Sequence, residues 1–400
     1  MRYDIYKITE VNLRVITVTF YEKLMKRLKN AVRKIMRVVA IKVENYRNLK
    51  NDIITPCEGV NIIYGDNAQG KTNLLEALWM FCGGHSFRAT KDNDVINWYK
   101  SAAKLEMKFF GQEREQKAKI MFQSGKKSVE INGVEKKSAA SLIEKYCAVV
   151  FSPEHLNLIK RGPSERRKFI DSAICREKLQ NAVILSKYNR LLNQRNSLLK
   201  DIYKRPSLEE TLCIWDEPLI KNGAMLIKKR LEYIKMLTQK AEEYHKGISK
   251  GREELKIRYI SSADIKNEDT VEEIEEKLKI KFESNKKDDI RLGITNTGAH
   301  RDDVEILINN KNAKTFASQG QQRSAVLSLK LAEASVLRKR MGEEPVILLD
   351  DVLSELDAGR QDFLLNELKG CQVFITCCEK SNKEQLKDGK IFYLKNGEIS

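Results

Sequence analysis

The stretch GDNAQGKTN, residues 65–73, decides the fold class of this 400-residue chain. It follows the apolar run GVNIIY (59–64) and precedes the apolar run LLEALWMF (74–81). Two glycines bracket four residues, and Lys71 and Thr72 follow at once. A strand, a glycine-rich loop and a helix in this order form a P-loop, in which backbone N–H groups and the helix N-terminus surround phosphate groups. The sequence therefore predicts a nucleoside triphosphate site.

Each position of this loop has an expected role. Lys71 should reach the β- and γ-phosphate oxygens, and the hydroxyl of Thr72 should ligate a Mg²⁺ ion. ATP and Mg²⁺ are therefore the expected cofactors. The residues predicted to bind the nucleotide in this loop are Gly65, Asp66, Asn67, Ala68, Gln69, Gly70, Lys71, Thr72 and Asn73.

A second motif, VILLDDVLSELD (346–357), contains the expected acids. Four apolar residues run directly into Asp350 and Asp351, as in a Walker B strand that ends at the carboxyl edge of a sheet. Asp350 is predicted to hold Mg²⁺, and Asp351 to polarise the attacking water. The alternative is a buried strand with solvated acids at its end, and the P-loop in the same chain argues against it.

A third motif, ASQGQQRSAVLSLKLAEA (317–334), places a polar turn before an amphipathic helix. Ser318 is suited to the N-cap, and Gly320 allows backbone N–H groups to approach an anion. A capped amphipathic helix needs no ligand, so this motif by itself is ambiguous.

The order of predicted strands and helices divides the chain into four segments. Alternating apolar and polar residues at 104–136 predict a small antiparallel sheet, and helical spacing predicts long helices over about 163–250. The predicted segments are a basic N-terminal extension (1–35), the first part of an ATPase lobe (36–154), a basic helical lobe (155–290) and the rest of the ATPase lobe (291–400). The extension is either an amphipathic appendage or the product of a mis-assigned start codon.

The net charge of +17 predicts a polyanionic partner, either nucleic acid or a membrane surface. Residues 155–205 carry thirteen Lys/Arg against four Asp/Glu, so one basic region lies inside the folded chain. No apolar run approaches the roughly 18–20 residues of a transmembrane helix. The eight cysteines show no CxxC pair, which predicts free thiols in a reducing cytoplasm.

Eight stretches together resemble the ATP-binding-cassette (ABC) ATPases of the SMC/Rad50 branch, and most closely the RecF family of recombination mediators. They are ENYRNL (44–49), GDNAQGKTNLLEAL (65–78), HSFRATKDNDVI (85–96), FSPEHLNLIKRGPSERRKFID (151–171), YNRLLNQRN (188–196), GAHRDD (298–303), SQGQQRS (318–324) and LLDDVLSELD (348–357). The resemblance spans about 36–400. It implies an α/β fold: an ABC-type P-loop ATPase head with a mixed sheet, flanking helices and a small antiparallel sheet, and with an inserted helical lobe.

The resemblance also implies a homodimer that forms on ATP binding. In this family the signature motif of one subunit completes the ATP site of the other, so Ser318, Gly320 and Gln321 would contact the γ-phosphate in trans. Arg88 occupies the position of an arginine that acts on the site in SMC-type heads, although a surface arginine after a helix is an equal alternative. The predicted catalytic residues are Asp351, Asp350, Lys71, Ser318 and Arg88.

Three departures from the family pattern stand out. Asp351 stands at the position of the usual catalytic glutamate, and Thr376 and Cys377 stand where the switch histidine is expected. Both differences predict slow ATP hydrolysis. No clear Q-loop glutamine precedes the helical lobe. Pro153-Glu154, at the junction of the ATPase lobe and the helical lobe, is the candidate for that role. The role of GAHRDD stays open between a turn in which Arg301 pairs with an aspartate and a functional element.

DNA is the polyanion that the resemblance favours. Sequence-independent phosphate contacts are expected from Lys160, Arg161, Arg166, Arg167, Lys168, Arg190 and Arg195. The resemblance implies binding of duplex and gapped DNA at single-strand/double-strand junctions, with RecR, RecO and RecA as protein partners, in the cytoplasm and without a membrane.

Three other protein classes fit less well. A transporter ATPase subunit would carry a switch histidine and lack the basic helical lobe. An SMC or Rad50 subunit needs a long coiled coil between its two halves, and the insertion here has no sustained heptads. A DNA-binding structural head with a vestigial ATPase remains as the alternative, although Lys71, Thr72, Asp350 and Asp351 are intact.

Overall fold

The computed structural model describes residues 34–88, 91–378 and 389–400. The predicted N-terminal extension lies almost entirely outside these residues. The strands in chain order are β1 (Arg37–Glu44), β2 (Asp52–Ile54), β3 (Val60–Tyr64), β4 (Ala102–Gly111), β5 (Arg114–Gln123), β6 (Lys126–Ile131), β7 (Val134–Lys136), β8 (Ala148–Phe151), β9 (Leu255–Ile260), β10 (Asp303–Ile308), β11 (Lys311–Asn312), β12 (Val346–Asp350), β13 (Val373–Cys377), β14 (Gly389–Lys395) and β15 (Glu398–Ile399).

The helices confirm the predicted helical region and show where it breaks. They are α1 (Lys71–Trp79), α2 (Asn157–Lys160), α3 (Pro163–Glu177), α4 (Leu179–Ile202), α5 (Cys213–Ile248), α6 (Val271–Leu292), α7 (Ala313–Phe316), α8 (Gln319–Met341) and α9 (Ala358–Glu367). The extended backbone of Lys178 separates α3 from α4. Among the described helices, none is long and apolar enough to cross a lipid bilayer.

The central sheet carries the P-loop. Its strand order is β15-β14-β3-β13-β12-β8, and all neighbours except β15 pair in parallel. The carboxyl ends of parallel strands lie at one edge, where ligands bind in open α/β sheets. This order places the end of β13 between the P-loop after β3 and the acids at the end of β12.

The second sheet confirms the predicted antiparallel meander. Its order is β2-β1-β4-β5-β6-β7, and every neighbouring pair is antiparallel. Alternating apolar residues of β4, including Leu105, Met107 and Phe109, are buried against α1 residues such as Leu75 and Leu78. The two sheets and α1 therefore share one hydrophobic core.

A third sheet, with the order β11-β10-β9, was not anticipated. β10 was expected to belong to the ATPase lobe, but it pairs with β9 and packs in a second core formed mainly by α3 to α6. The expected boundary between 290 and 291 therefore falls inside this second core. Strand character alone does not say which sheet a strand joins.

Helix α8 contributes to both cores. Leu327 and Leu331 are buried in the first core, whereas Ala325 and Leu329 are buried in the second. Ser318 and Gln321 form a capping box at its start, and Gly342 ends it with a φ of 74°, in the left-handed region that favours glycine. The helix that begins with the third sequence motif thus joins the two lobes.

The GAHRDD turn (298–303) is held by hydrogen bonds and an ion pair to residues of the helical lobe. The carboxylate of Asp302 accepts hydrogen bonds from the Tyr259 hydroxyl (2.5 Å) and the Ser262 backbone N–H (2.8 Å). Asp303 forms a two-bond ion pair with Arg166. The pairing of Arg301 with an aspartate, one of the two alternatives left open, does not form among the described residues; its Nε donates to the backbone oxygen of Thr295 at 3.1 Å.

Arg195 was expected to contact DNA, and this expectation is wrong. Its side chain is fully buried in the helical lobe. The guanidinium donates to Asp216 at 2.5 Å and to Asp289 at 2.7 Å, and it lies 4.8 Å from the centre of the Phe282 ring. Two carboxylates and an aromatic face enclose this cation, so it cannot reach a phosphate.

Replacing Arg195 with alanine should lower the free energy of unfolding by about 3–5 kcal/mol, because two carboxylates lose their partner in the interior. Arg190→Ala, on the exposed side of the same helix, should change it by less than about 0.5 kcal/mol. Chemical denaturation of both variants measures the difference. An Arg195→Ala protein as stable as its Arg190→Ala control would contradict this structural role.

Candidate nucleotide-binding site

The P-loop depends on two glycines. Gly70 has a φ of 111°, and a Cβ there would lie 2.7 Å from Oδ1 of Asn48. A Cβ on Gly65 would lie 2.2 Å from the backbone oxygen of Leu394, which no side chain can accommodate without moving β14. Helix α1 begins directly after Gly70, so its N-terminal N–H groups face the loop.

Lys71 is buried inside the loop. Its Nζ donates to the backbone oxygens of Gly65 at 2.6 Å and Asp66 at 3.0 Å. It also lies 3.2 Å from Sγ of Cys378, which itself contacts Oδ1 of Asn67 at 2.9 Å. An ammonium group at the centre of a ring of backbone groups is placed to meet phosphate oxygens.

Thr72, Asp350 and Thr376 meet at the edge of the central sheet. Both threonine hydroxyls donate to Oδ1 of Asp350, at 2.8 Å from Thr72 and 3.0 Å from Thr376. Burial raises the pKa of Asp350, and the two hydroxyl hydrogen bonds act in the opposite direction. Adjacent hydroxyl and carboxylate oxygens are the donor set that Mg²⁺ prefers, so these residues fit the expected metal.

Asp351 has a left-handed backbone, with a φ of 56°. Its N–H donates to the Thr376 hydroxyl at 2.9 Å, and its backbone oxygen accepts from Ser354 at 2.8 Å. Aspartate tolerates this conformation better than most side chains. The sequence identified both acids and placed Thr376 at the position of the switch histidine, but it did not predict that Thr376 bonds to the carboxylate of Asp350 and the backbone of Asp351.

Arg88 lies beside the P-loop. Its Nη1 donates to Oδ1 of Asn73 at 3.2 Å, and Asn73 donates to Asn48 at 2.7 Å. Asn48 in turn donates to the backbone oxygen of Ala68 at 3.3 Å. Sequence reasoning missed Asn48, although the ENYRNL stretch that contains it belonged to the family resemblance.

The signature turn, residues 317–321, has an exposed start. Ser318 is exposed, and its hydroxyl accepts from the Gln321 backbone N–H at 3.3 Å. The Gln321 side chain accepts from the Ser318 N–H and donates to Glu253 at 3.0 Å. Within the described part of one chain, no hydrogen bond or ion pair joins this turn to residues 65–73.

Arg360 links the signature turn to SELD (354–357), the stretch after the Walker B acids where ABC ATPases carry a loop called the D-loop. Its guanidinium pairs with Asp357, donates to Oγ of Ser324 at 2.9 Å and donates to the backbone oxygen of Gly320 at 3.3 Å. The Asp357 carboxylate also caps α9. The sequence offered no signal for this link, because Arg360 belongs to neither motif.

The predicted junction residues lie apart from the P-loop. Pro153 and Glu154 belong to a short 3-10 helix, Pro153–Leu156, that borders a cleft between the two lobes. A hydrogen bond or ion pair between them and residues 65–73 does not occur in the described part of the chain. The Q-loop assignment thus stays a prediction.

The seven cations predicted to contact phosphates fall into three groups. The exposed ones are Lys160, Arg161, Lys168 and Arg190. Arg166 and Arg167 are half-buried and engaged: Arg166 pairs with Asp303, and Arg167 donates to the backbone oxygen of Asp302 at 2.7 Å. Burial also lowers the pKa of Arg167. Arg195 is excluded, as described above.

Known proteins with similar sequences place the chain in a family. A family model for an AAA domain matches residues 40–286. The DNA replication and repair protein RecF of Acetivibrio thermocellus is 38% identical over 361 residues, which cover 90% of this chain and 98% of that protein. The chain belongs to the RecF family. The RecF protein of Ruminiclostridium cellulolyticum is 40% identical and covers 87% of this chain and 94% of its own length.

Solved structures agree with the family. The recombination mediator protein RecF in its ATP-bound form is 38% identical, with a TM-score of 0.83, and covers 92% of this chain and 99% of that chain. An Smc head domain from Pyrococcus furiosus is 16% identical with a TM-score of 0.51, which supports the fold alone. The predicted ABC-type ATPase fold and the RecF resemblance are confirmed.

Thr376→Val should slow ATP hydrolysis by about 10-fold or more, because valine keeps the shape but removes the hydroxyl that holds Asp350 and Asp351. Thr376→Ser retains the hydroxyl and should stay close to the parent rate. Steady-state ATPase assays on both variants test this. Equal rates for the valine and serine variants would rule out a positioning role for the hydroxyl.

Proposed function

We propose that two copies of this chain enclose two ATP molecules head to tail, and that the closed dimer clamps DNA. The observation that carries this proposal is the separation of the two halves of the site. A complete P-loop and Walker B site lies in one place, and an exposed signature turn lies elsewhere on the same chain. A second copy can bring a signature turn to each P-loop.

In the proposed site, the residues act on the nucleotide as follows. Lys71 and the α1 N-terminus bind the phosphates, and Thr72 and Asp350 hold Mg²⁺, which neutralises phosphate charge when bound. Asp351 orients and polarises water. Arg88 contacts the phosphates from the same chain. Ser318, Gly320 and Gln321 from the other copy approach the γ-phosphate with an exposed helix N-terminus.

DNA binding rests on charge and on the family. The four exposed cations, Lys160, Arg161, Lys168 and Arg190, lie in the helical lobe and offer sequence-independent phosphate contacts. The solved relatives are described as the recombination mediator RecF in the RecFOR pathway. We propose that this chain binds duplex and gapped DNA at single-strand/double-strand junctions. We also propose that RecR, RecO and RecA are its protein partners, in the cytoplasm.

Hydrolysis is proposed to be slow, DNA-stimulated and used for release. Asp351 stands where a longer glutamate is usual, and Thr376 stands where a histidine is usual. ATP can favour the closed dimer only through its higher affinity for that state, and hydrolysis removes this difference. The same two departures favour the second candidate function, a DNA-binding structural head with a vestigial ATPase, which a turnover measurement separates from the first.

The decisive experiment is the mass of the protein in solution without nucleotide, with ADP and with ATP–Mg²⁺, each with and without gapped DNA. We expect a monomer that becomes a dimer only with ATP–Mg²⁺, more completely when DNA is present. Ser318→Arg should abolish this shift, because a bulky cation blocks the exposed turn. Ser284→Arg, an exposed site on α6, is the matched control.

Two outcomes would contradict the proposal. A monomer under all conditions would leave a basic DNA-binding protein whose P-loop serves another purpose. ATP-dependent dimers of Lys71→Met would show that nucleotide at this P-loop does not drive assembly.

Arg360→Ala should weaken ATP-dependent dimerisation by about 10-fold without changing ATP affinity of the monomer, because it loses hydrogen bonds to both interface elements. Arg291→Ala is the control: Arg291 is exposed on α6, pairs with Asp288 at 2.8 Å and belongs to neither the signature turn nor SELD. Sedimentation measures dimerisation. ATP affinity is measured on monomers that carry Ser318→Arg, with and without Arg360→Ala. Loss of ATP binding in Arg360→Ala would instead indicate a general structural defect.

A further inference from the structure

A cleft of about 1340 Å³ separates the ATPase lobe from the helical lobe. The end of α1 and the following loop, up to Arg88, form one wall. Helices α2 to α4 form the other wall, and α8 contributes Lys330 and Glu333 to the floor. Pockets for small molecules usually measure about 300–1000 Å³, so this cleft is larger than a single small ligand requires.

The floor of the cleft carries buried positive charge. Arg176 and Lys330 both pair with the Glu333 carboxylate, and all three side chains are buried. Burial would raise the pKa of Glu333, but Lys330 and Arg176 bring it down to about 2. The neighbouring His155 is neutral, because burial and Lys330 lower its pKa to about 3. Burial lowers the pKa of Lys330, and the Glu333 carboxylate raises it. With both cations charged, the three groups carry one net positive charge.

The mouth of the cleft adds exposed cations. Arg88, Arg161 and Lys168 border it from both lobes, and none of them takes part in an ion pair within the described residues. Asp94, Glu154 and Glu165 border it as well, so the charges at the mouth are mixed. Over the whole lining, seven Lys/Arg side chains face five Asp/Glu side chains, which leaves an excess of positive charge. Cations on both walls can follow the backbone of a flexible polyanion.

The lining of the cleft also includes aromatic and polar groups. Phe87 and Phe169 line opposite walls, and both are partly exposed. Ser186 and Asn189 lie on the α4 side and can form hydrogen bonds. Proteins that bind single strands combine a cationic groove with aromatic faces on which bases stack.

We propose that this interlobe cleft binds a segment of single-stranded DNA. A duplex keeps its base faces stacked inside and can touch the mouth only with its phosphates. A single strand exposes base faces that can enter the cleft and reach Phe87 and Phe169. The inference rests on the proposed function as a DNA-binding protein, and it assigns the single-stranded side of a junction to a place on the chain.

The cleft is directly connected to the nucleotide site. Arg88 borders the cleft and also donates to Asn73, the neighbour of Thr72 in sequence. Arg88 is therefore the residue through which a strand in the cleft and ATP in the P-loop would be coupled, and any such coupling changes both affinities by the same factor.

The first test blocks the cleft. Ser186→Trp fills its α4 wall, and Ser197→Trp places the same side chain on an exposed site of α4 outside the cleft. Fluorescence anisotropy with an oligo(dT) of about 20 nucleotides should show about 10-fold weaker binding for Ser186→Trp only. Binding of a blunt duplex of equal length should stay within about 2-fold for both variants.

The second test maps the strand. Asn189→Cys introduces a thiol at the cleft, and Ser197→Cys is the control. Cleavage after Glu177 and Glu209 releases a peptide without native cysteine, so its alkylation reports the new thiol alone. Oligo(dT) should slow alkylation of the thiol introduced at position 189 but not of the thiol at position 197. The duplex and ATP should slow alkylation at neither position.

The outcomes separate this inference from the proposed function. If oligo(dT) binds but neither variant of the cleft responds, the strand lies elsewhere and the inference fails while DNA binding stands. Equal protection by duplex would also overturn it, as would protection by ATP alone, which would indicate a nucleotide pocket. If no DNA binds at all, the proposed function itself fails.

Discussion

The parallel pairing of β13 between β3 and β12 is the constraint on which the nucleotide site depends. Parallel strands end at the same edge of a sheet, so the P-loop and the Walker B acids meet on either side of Thr376. Thr72 and Asp350 are far apart in sequence, but the strand order brings their side chains to 2.8 Å. Neither motif could offer a hydroxyl and a carboxylate to one metal ion without this register.

Helix α8 connects that edge to the rest of the molecule. Its apolar faces are buried in both cores, its first turn is the signature turn, and its middle carries Lys330 and Glu333 of the cleft floor. Arg360 adds a bond from the signature turn to the D-loop. The turn assigned to contact the nucleotide of a second copy and two groups of the cleft floor therefore lie on the same helix.

Sequence reasoning worked where chemistry is local and failed where it depends on packing. The P-loop, the Walker B strand and the capped helix at Ser318 are each indicated by a pattern of about a dozen residues. Arg195 and Arg190 look alike in the sequence, on one amphipathic helix. One is enclosed by Asp216 and Asp289 and the other is exposed, and a basic pattern cannot tell which arginines meet buried carboxylates.

By itself, the sequence determined the fold class, the family and the residue types at the nucleotide site, because a phosphate-binding loop needs particular glycines, a lysine and a threonine in fixed order. Only the tertiary structure decided that β10 joins the helical lobe, that Thr376 holds both Walker B residues, and that the lobes leave a cationic cleft. These features arise from residues far apart in the chain, whose proximity is set by strand pairing and the packing of two cores.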